Sequence, residues 1–301
     1  MKVLITGATG LIGKEIVTLL NDNDISVHYL TTRKDKIESG HNYQGFFWNP
    51  KIGEIDTECI KDVDAIINLV GATVAKRWTE SYKKEIIDSR VQSANLLLKT
   101  LKEQNHNVKQ IISASAIGIY PHHMTNYYEE DHNEVDDSFL GRVVEQWEHS
   151  VEAFKSIGVK VSIVRIGLVL SNKGGALPQI AKPIRMGLGA AFGSGKQWQS
   201  WIHITDLTRM FKYILDHELE GIYNGVSPNP IKNRELTRTT AEVLRRPLIL
   251  PNIPRFFMKL ILGDMYIVLF SSHRVSSKKI EDKGFNIKFH HLKPALVDLL
   301  K

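Results

Sequence analysis

Residues 1–13 read MKVLITGATGLIG. The apolar run Met1, Val3, Leu4, Ile5 predicts a buried strand. It breaks at Gly7, and from Gly13 a helical pattern runs on to about Leu20. Strand, glycine turn and helix in that order form the phosphate-cradling start of a dinucleotide-binding unit. Gly7 permits a tight turn. Gly10 lets a diphosphate approach the backbone, and Gly13 lets the helix lie close to the sheet. Thr9, Leu11 and Ile12 complete the loop, and the free N–H groups of the helix start favour an anion there.

A chain of 301 residues can bury a large core, in one large domain or two closely joined ones. Its composition, 43% hydrophobic and 24% charged, is that of a globular protein without a low-complexity tract. The single cysteine, Cys59, excludes an internal disulfide and a cysteine-built zinc site, and no metal is expected. Met1 leads straight into a strand, so no signal peptide and a cytoplasmic location are expected. The formal charge of +6 raises nucleic acid or an anionic membrane as partners. Lys and Arg are dispersed among acids, and the expectation is a solvated basic surface with neither partner. The apolar segment Ile253 to Phe270 is interrupted by Arg255, Lys259, Gly263 and Asp264, so it does not span a membrane. It reads as a helix pair packed on the core, or as a flap or dimer contact.

Along the chain, Ile25 to Leu30 predicts the second strand, ending in Thr31-Thr32-Arg33-Lys34. In dinucleotide folds an acid at this place binds the ribose hydroxyl of NAD, whereas an arginine accommodates the 2′-phosphate of NADP. Arg33 stands there. A charge-assisted bond of ~1.5–3 kcal/mol gives a preference of roughly 10- to 100-fold for the phosphorylated cofactor. Tyr43 to Trp48 and Asp64 to Val70 predict two further strands. The second ends in Gly71-Ala72, with Leu69 and Val70 beside the glycine loop. Thr79 to Leu101 reads as one helix, with Glu85 and Arg90 around its apolar stripe. Buried, Arg90 needs either a salt bridge to Glu85 or an anionic ligand. Val108 to Ser115 predicts a central strand that sets Ser113, Ser115 and Tyr120 at its ligand-binding end. Phe139 to Ile157 reads as a helix and Lys160 to Leu170 as a buried strand with Arg165 inward or end-on.

GATGLIG (7–13), NLVGA (68–72), KRWTE with Ser89-Arg90, SASAIGIY (113–120), VRIGLVL (164–170), MGLGAAFGSGKQWQSWIHITDL (186–207) and the tail LGDMYIVLFSSHRV give the chain a family likeness. It resembles the atypical, extended-like short-chain dehydrogenase/reductases of the NAD-dependent epimerase/dehydratase type over essentially its whole length. The resemblance implies NADP(H) as cofactor. Thr32 and Arg33 match the 2′-phosphate position, and Leu69 and Val70 match a cofactor-contacting strand end. Glu85 and Arg90 match positions facing the dinucleotide, and Val169 matches one near the nicotinamide. The part from about residue 247 resembles the family's C-terminal segment.

One departure stands out. Ordinary members use a Tyr with a Lys four positions later as catalytic acid and activator. None of the nine tyrosines has such a lysine, and Phe139 and Val143 stand where the pair belongs. Positioned acid–base catalysis is worth roughly 10²- to 10⁴-fold. Ser115 and Tyr120 are the candidate substitutes, whereas His203 reads as a satisfied core histidine. The expected fold is α/β: a doubly wound parallel (Rossmann) sheet in residues 1–170, with a smaller C-terminal α/β lobe, 171–301, on the substrate side. The expected function is an NADP(H)-dependent oxidoreductase or epimerase-like enzyme on a small molecule. The alternative is an NADP(H)-binding regulator. A homodimer fits either.

Overall fold

The computed structural model describes all 301 residues. β1 (Lys2–Thr6) runs through the glycine loop into α1 (Leu11–Asn21). β2 (Ser26–Thr31), β3 (Tyr43–Asn49) and β4 (Ala65–Asn68) follow, then α2 (Glu80–Glu103), β5 (Gln110–Ala116), α3 (Phe139–Glu152) and β6 (Lys160–Ile166). After them come α4 (Ala176–Arg185), α5 (Ile204–Asp216), β7 (Gly221–Gly225), α6 (Asn233–Leu244) and α7 (Arg255–Leu262). A last helix, Leu292–Leu300, ends the chain.

The seven strands lie in the order β7-β6-β5-β4-β1-β2-β3, all parallel. Two short pieces, Ser39–Gly40 and Glu54–Ile55, pair antiparallel with β3. Parallel strands need crossovers, and these helices cover both faces: α1 packs with α5, and α2 with α3. The doubly wound expectation therefore holds. Strand order reverses between β1 and β4, which opens a crevice at their carboxyl ends, the place where such sheets bind ligands. The central strands are buried on both faces, as β1, β4 and β5 show.

Two elements differ from their sequence reading. The stretch 160–170 is not one strand. β6 stops at Ile166, and Leu168–Leu170 leaves the sheet to pair with Trp201–His203. Gly167 makes the corner, since a Cβ there would lie 2.3 Å from the Ser200 carbonyl oxygen. The helix from Phe139 stays α-helical only to Glu152. It tightens to a 3₁₀ turn over Ala153–Ile157 and stops at Gly158, which is left-handed with φ 76°.

The boundary drawn at residue 170 is not a break in space. α5 and β7 return to the first lobe, where β7 extends the sheet beside β6. Leu207, Met210, Phe211 and Ile214 of α5 join the main core of 43 buried residues. A separate core of 12, with Leu177, Trp201, Leu236 and Leu296 among them, belongs to the smaller lobe. The late segment is helical as expected but does not pack into either core: α7 has no buried residue.

Candidate functional site

The glycine loop closes the crevice from the β1 side. Gly7 has φ +71°, and a Cβ on it would meet the Leu69 carbonyl carbon at 3.1 Å. A Cβ on Gly13 would sit 2.2 Å from the Gly7 oxygen, so only glycine lets α1 start this close to β1. Gly10 caps α1 without a side-chain hydrogen bond, and the first turn carries no acid. Its N–H groups are therefore left for an anion. Thr9 and Gly10 are exposed, and Leu11 and Ile12 half-buried. Thr6 ties the two loops together. Its hydroxyl donates to Asn68 Oδ1 (2.7 Å) and accepts from the Leu69 and Val70 N–H groups at 3.1 and 3.2 Å. Asn68 in turn donates to Ser113 Oγ at 3.1 Å, which gives Ser113 a structural role.

Thr32 and Arg33 follow β2, whose Leu30 lies beside Thr6 of β1. Both are exposed. Arg33 is engaged by Asp35 through Nε and Nη2 at 3.2 and 2.6 Å. That hydrogen bond raises the Arg33 pKa and lowers that of Asp35. A neighbouring acid therefore orients the arginine in the open, where a screened surface pair is weak enough to exchange for a phosphate.

Glu85 and Arg90 do not pair with each other. Glu85 lies at the surface, 3.5 Å from Lys51. Arg90 turns inward. Its guanidinium lies over the Trp147 ring at 4.9 Å, and Nη1 donates to the Ile86 carbonyl at 2.7 Å. Gly71 is packed so closely on it that a Cβ there would come within 2.8 Å of Cζ. No carboxylate lies within 4 Å of it in any ion pair, and burial pulls its pKa down to about 10. Val169 lies in the short strand after Gly167, paired with Ile202. The loop that follows folds back over α1: a Cβ on Gly175 would reach Leu11 Cδ2 at 3.3 Å, and Lys173 pairs with Glu15 at 2.6 Å.

Below Arg90 a cleft of about 260 Å³ opens at the ends of β5 and β6. Val74, Ala116, Val143, Trp147, Leu168 and Trp198 give it mainly apolar walls. Arg90 and His273 are the only ionisable side chains that line it, with Gln199, Ser200 and Ser271 as further polar groups. A polar compartment of about 240 Å³ adjoins it, sharing Gly118, Leu140, Ser271 and His273 and adding His122, Asp136 and Arg255. The chain's Val143 thus faces the cleft where a lysine was missing, while Phe139 packs edge-on against Trp78 at 5.2 Å.

Neither expected proton donor lines this cleft. Ser115 is buried, and its hydroxyl donates to Glu148 Oε1 at 2.5 Å. Tyr120 is fully buried. Its hydroxyl accepts from Arg165 Nη1 (3.0 Å) and donates to Asn224 Oδ1 (2.8 Å). Burial raises its pKa further. Both are consumed by the buried Arg165–Glu148 pair, whose remaining donors and acceptors need partners. His203 keeps its structural reading: Nδ1 accepts from the Thr205 N–H at 3.1 Å and Nε2 lies 3.2 Å from Asp298.

The residue that sequence reading passed over is His273. Burial holds its pKa at about 4, so the imidazole is neutral at pH 7. Its backbone is fixed through bonds to Trp198 and Ser200 at 3.2 and 3.0 Å. The signal lay in the tail block SSHRV, 158 positions from Ser115, so spacing did not connect them. Trp198 lines the cleft, whereas Trp201 is buried and donates to the Asn229 carbonyl at 3.0 Å.

A doubly wound sheet with a glycine-loop crevice defines a dinucleotide-binding protein of the short-chain dehydrogenase/reductase type. The profile of the NAD dependent epimerase/dehydratase family matches residues 3–224, and a domain of unknown function matches residues 253–299. The chain belongs to this epimerase/dehydratase family. It is 34% identical over 301 residues to an epimerase family protein of Staphylococcus epidermidis, covering 100% of this chain and 99% of the other. An epimerase family protein of Staphylococcus aureus is 36% identical over 303 residues, covering 99% and 98%. Among solved structures, the human epimerase family protein SDR39U1 with NADPH superposes with a TM-score of 0.86 at 27% identity, over 99% of both chains. No helix of this chain is long and apolar enough to cross a membrane.

Proposed function

We propose that this protein binds NADP(H) along the carboxyl ends of β1, β2 and β4 and acts on a small molecule in the apolar cleft, as an NADP(H)-dependent oxidoreductase or epimerase-like enzyme. The observation that carries this reading is Arg90, a half-buried guanidinium with no carboxylate partner, set between Gly71 and the cleft. Keeping such a charge partly desolvated and unpaired is costly, and an anionic ligand offsets that cost. The glycine cradle fits a dinucleotide, because Gly7 and Gly13 leave no room for a Cβ and so hold the start of α1, with its N–H groups uncapped by a side chain, close against β1. The human relative's NADPH supports the phosphorylated form.

In this reading Thr32 and Arg33 hold the 2′-phosphate, and the N–H groups of Leu11, Ile12 and Gly13 hold the diphosphate. Leu69, Val70 and Gly71 cover the adenosine side, and Val169 borders the nicotinamide side. The bound cofactor supplies hydride transfer. The protein holds the substrate between Val143, Trp147 and Trp198 and keeps water away. His273, neutral at pH 7 and with one ring nitrogen bonded to the Tyr120 backbone carbonyl, offers its other nitrogen as an acceptor to a substrate hydroxyl. Removing such a positioned acceptor costs roughly 10²- to 10⁴-fold in turnover. The test is NADPH oxidation against a panel of carbonyl compounds, with His273→Ala beside the parent protein.

A second reading has its own support. Val143, Phe139 and the engaged Ser115 and Tyr120 leave no acid–base pair of the usual kind, which suits an NADP(H)-binding regulator. Tight NADPH binding with no turnover on any carbonyl, and no exchange of cofactor hydride, would favour it.

A further inference from the structure

From Val243 to Gly263 the chain has no acid and four bases, Arg245, Arg246, Arg255 and Lys259. The same stretch leaves large apolar side chains in solvent: Ile249 is 77% exposed, Phe256 74% and Leu260 78%, with Phe257 and Ile261 about half exposed. On α7 these fall at 256, 257, 260 and 261, two i, i+4 pairs on one side of the helix. Met258 and Leu262, half-buried, mark the opposite side. An amphipathic helix ordinarily turns its apolar stripe to the core, and this one turns it outward. The exposure is not that of a loose tail. Ile253 bonds to Ala191 and Gly193 through its N–H and carbonyl, both at 2.8 Å, and Asp264 pairs with Lys83 at 3.0 Å, so both ends of α7 are held. Arg255 and Lys259 lie over the Tyr266 ring at 5.0 and 5.9 Å, along one edge of the stripe.

We propose that this segment lays its apolar stripe into the surface of a bilayer rich in anionic headgroups. Aromatic and aliphatic side chains on one face, with bases at its rim and no acid, are the makeup of a helix that lies in the interfacial plane. Arg255 and Lys259, whose charged heads lie over the Tyr266 ring in the free protein, stand at the rim of the stripe, from which their long stems let the heads turn to the phosphates. Charge separates this occupant from a second copy of the chain. A two-fold interface sets the same patch against itself, which would bring four bases against the same four with no acid to offset them. The expectation of no membrane partner rested on bases dispersed among acids and on the lack of a span, but Val243 to Gly263 has no acid, and a helix lying in the plane needs no span. The inference is independent of the cleft's chemistry.

The test is co-sedimentation of the full chain with vesicles of phosphatidylcholine alone and of phosphatidylcholine and phosphatidylglycerol in equal parts. Binding to the anionic vesicles only, weakening as salt rises, is expected. Phe256→Asp with Leu260→Asp, and separately Arg246→Glu with Lys259→Glu, each reduce it by about tenfold or more. These side chains are exposed, so the thermal transitions of the variants stay at the parent's. Absence of binding to anionic vesicles overturns the proposal, and so does binding that both variants retain. A concentration-dependent dimer abolished by Phe256→Asp with Leu260→Asp overturns it in favour of a second copy.

Discussion

Arg165 grips Glu148 with two hydrogen bonds of 2.9 Å, from Nε to Oε1 and from Nη2 to Oε2, in a nearly dry interior between β6 and α3. Burial alone would lower the Arg165 pKa, but the Glu148 carboxylate holds it above its ordinary value. Breaking one partner of such a pair leaves the other charge buried and uncompensated, at about 3–5 kcal/mol. Glu148→Ala is therefore expected to lower unfolding free energy by about that amount in urea titration. A loss under 1 kcal/mol would show that water reaches the pair.

Arg90 makes the opposite case. Its charge is half-buried without a carboxylate, so removing it relieves a desolvation cost in the free protein. Arg90→Leu is expected to weaken NADPH by about 10- to 100-fold in calorimetric titration while leaving the free protein's stability equal or higher. A variant that is less stable and binds NADPH normally would assign Arg90 to structure instead.

Arg33→Asp is expected to weaken NADPH by about 10- to 100-fold and NADH little, because only the former carries a 2′-phosphate. Equal effects on the two cofactors would count against a phosphate-holding role. Gly10→Val tests the loop itself. The position is exposed, its Cβ would meet one chain atom, the Gly7 carbonyl oxygen at 3.2 Å, and the new side chain stands where the diphosphate approaches. Loss of binding to both cofactors is the expected result.

His273 ties stability to pH. Its pKa is about 4 in the fold against 6.5 for a free imidazole, so between these values the unfolded chain binds the extra proton. Its contribution is full above pH 6.5, falls as pH drops from about 6.5 to about 4, and levels off below, with a span of up to about 3 kcal/mol. Burial also lowers the pKa of His28 and His203, so they add to the same slope. Urea midpoints of His273→Gln across this range are expected to show a shallower dependence than the parent's. An unchanged slope would mean that the ring is solvated.

The first thirteen residues, read alone, determined the fold, because strand burial, glycine sterics and helix start are local properties. Gly13 illustrates the reason: the 2.2 Å approach of its missing Cβ to Gly7 is made within one turn. The missing Tyr–Lys pair was equally legible, since i, i+4 spacing is a property of sequence. Only the tertiary structure could decide what Ser115 and Tyr120 are for. Their partners, Glu148 and Asn224, lie 33 and 104 positions away, and those partners removed them from the cleft. It likewise parted Glu85 from Arg90, brought His273 beside β5, and left the apolar side of α7 facing out. Periodicity tells that a helix has two faces. Which one meets the core depends on where the rest of the chain has already packed.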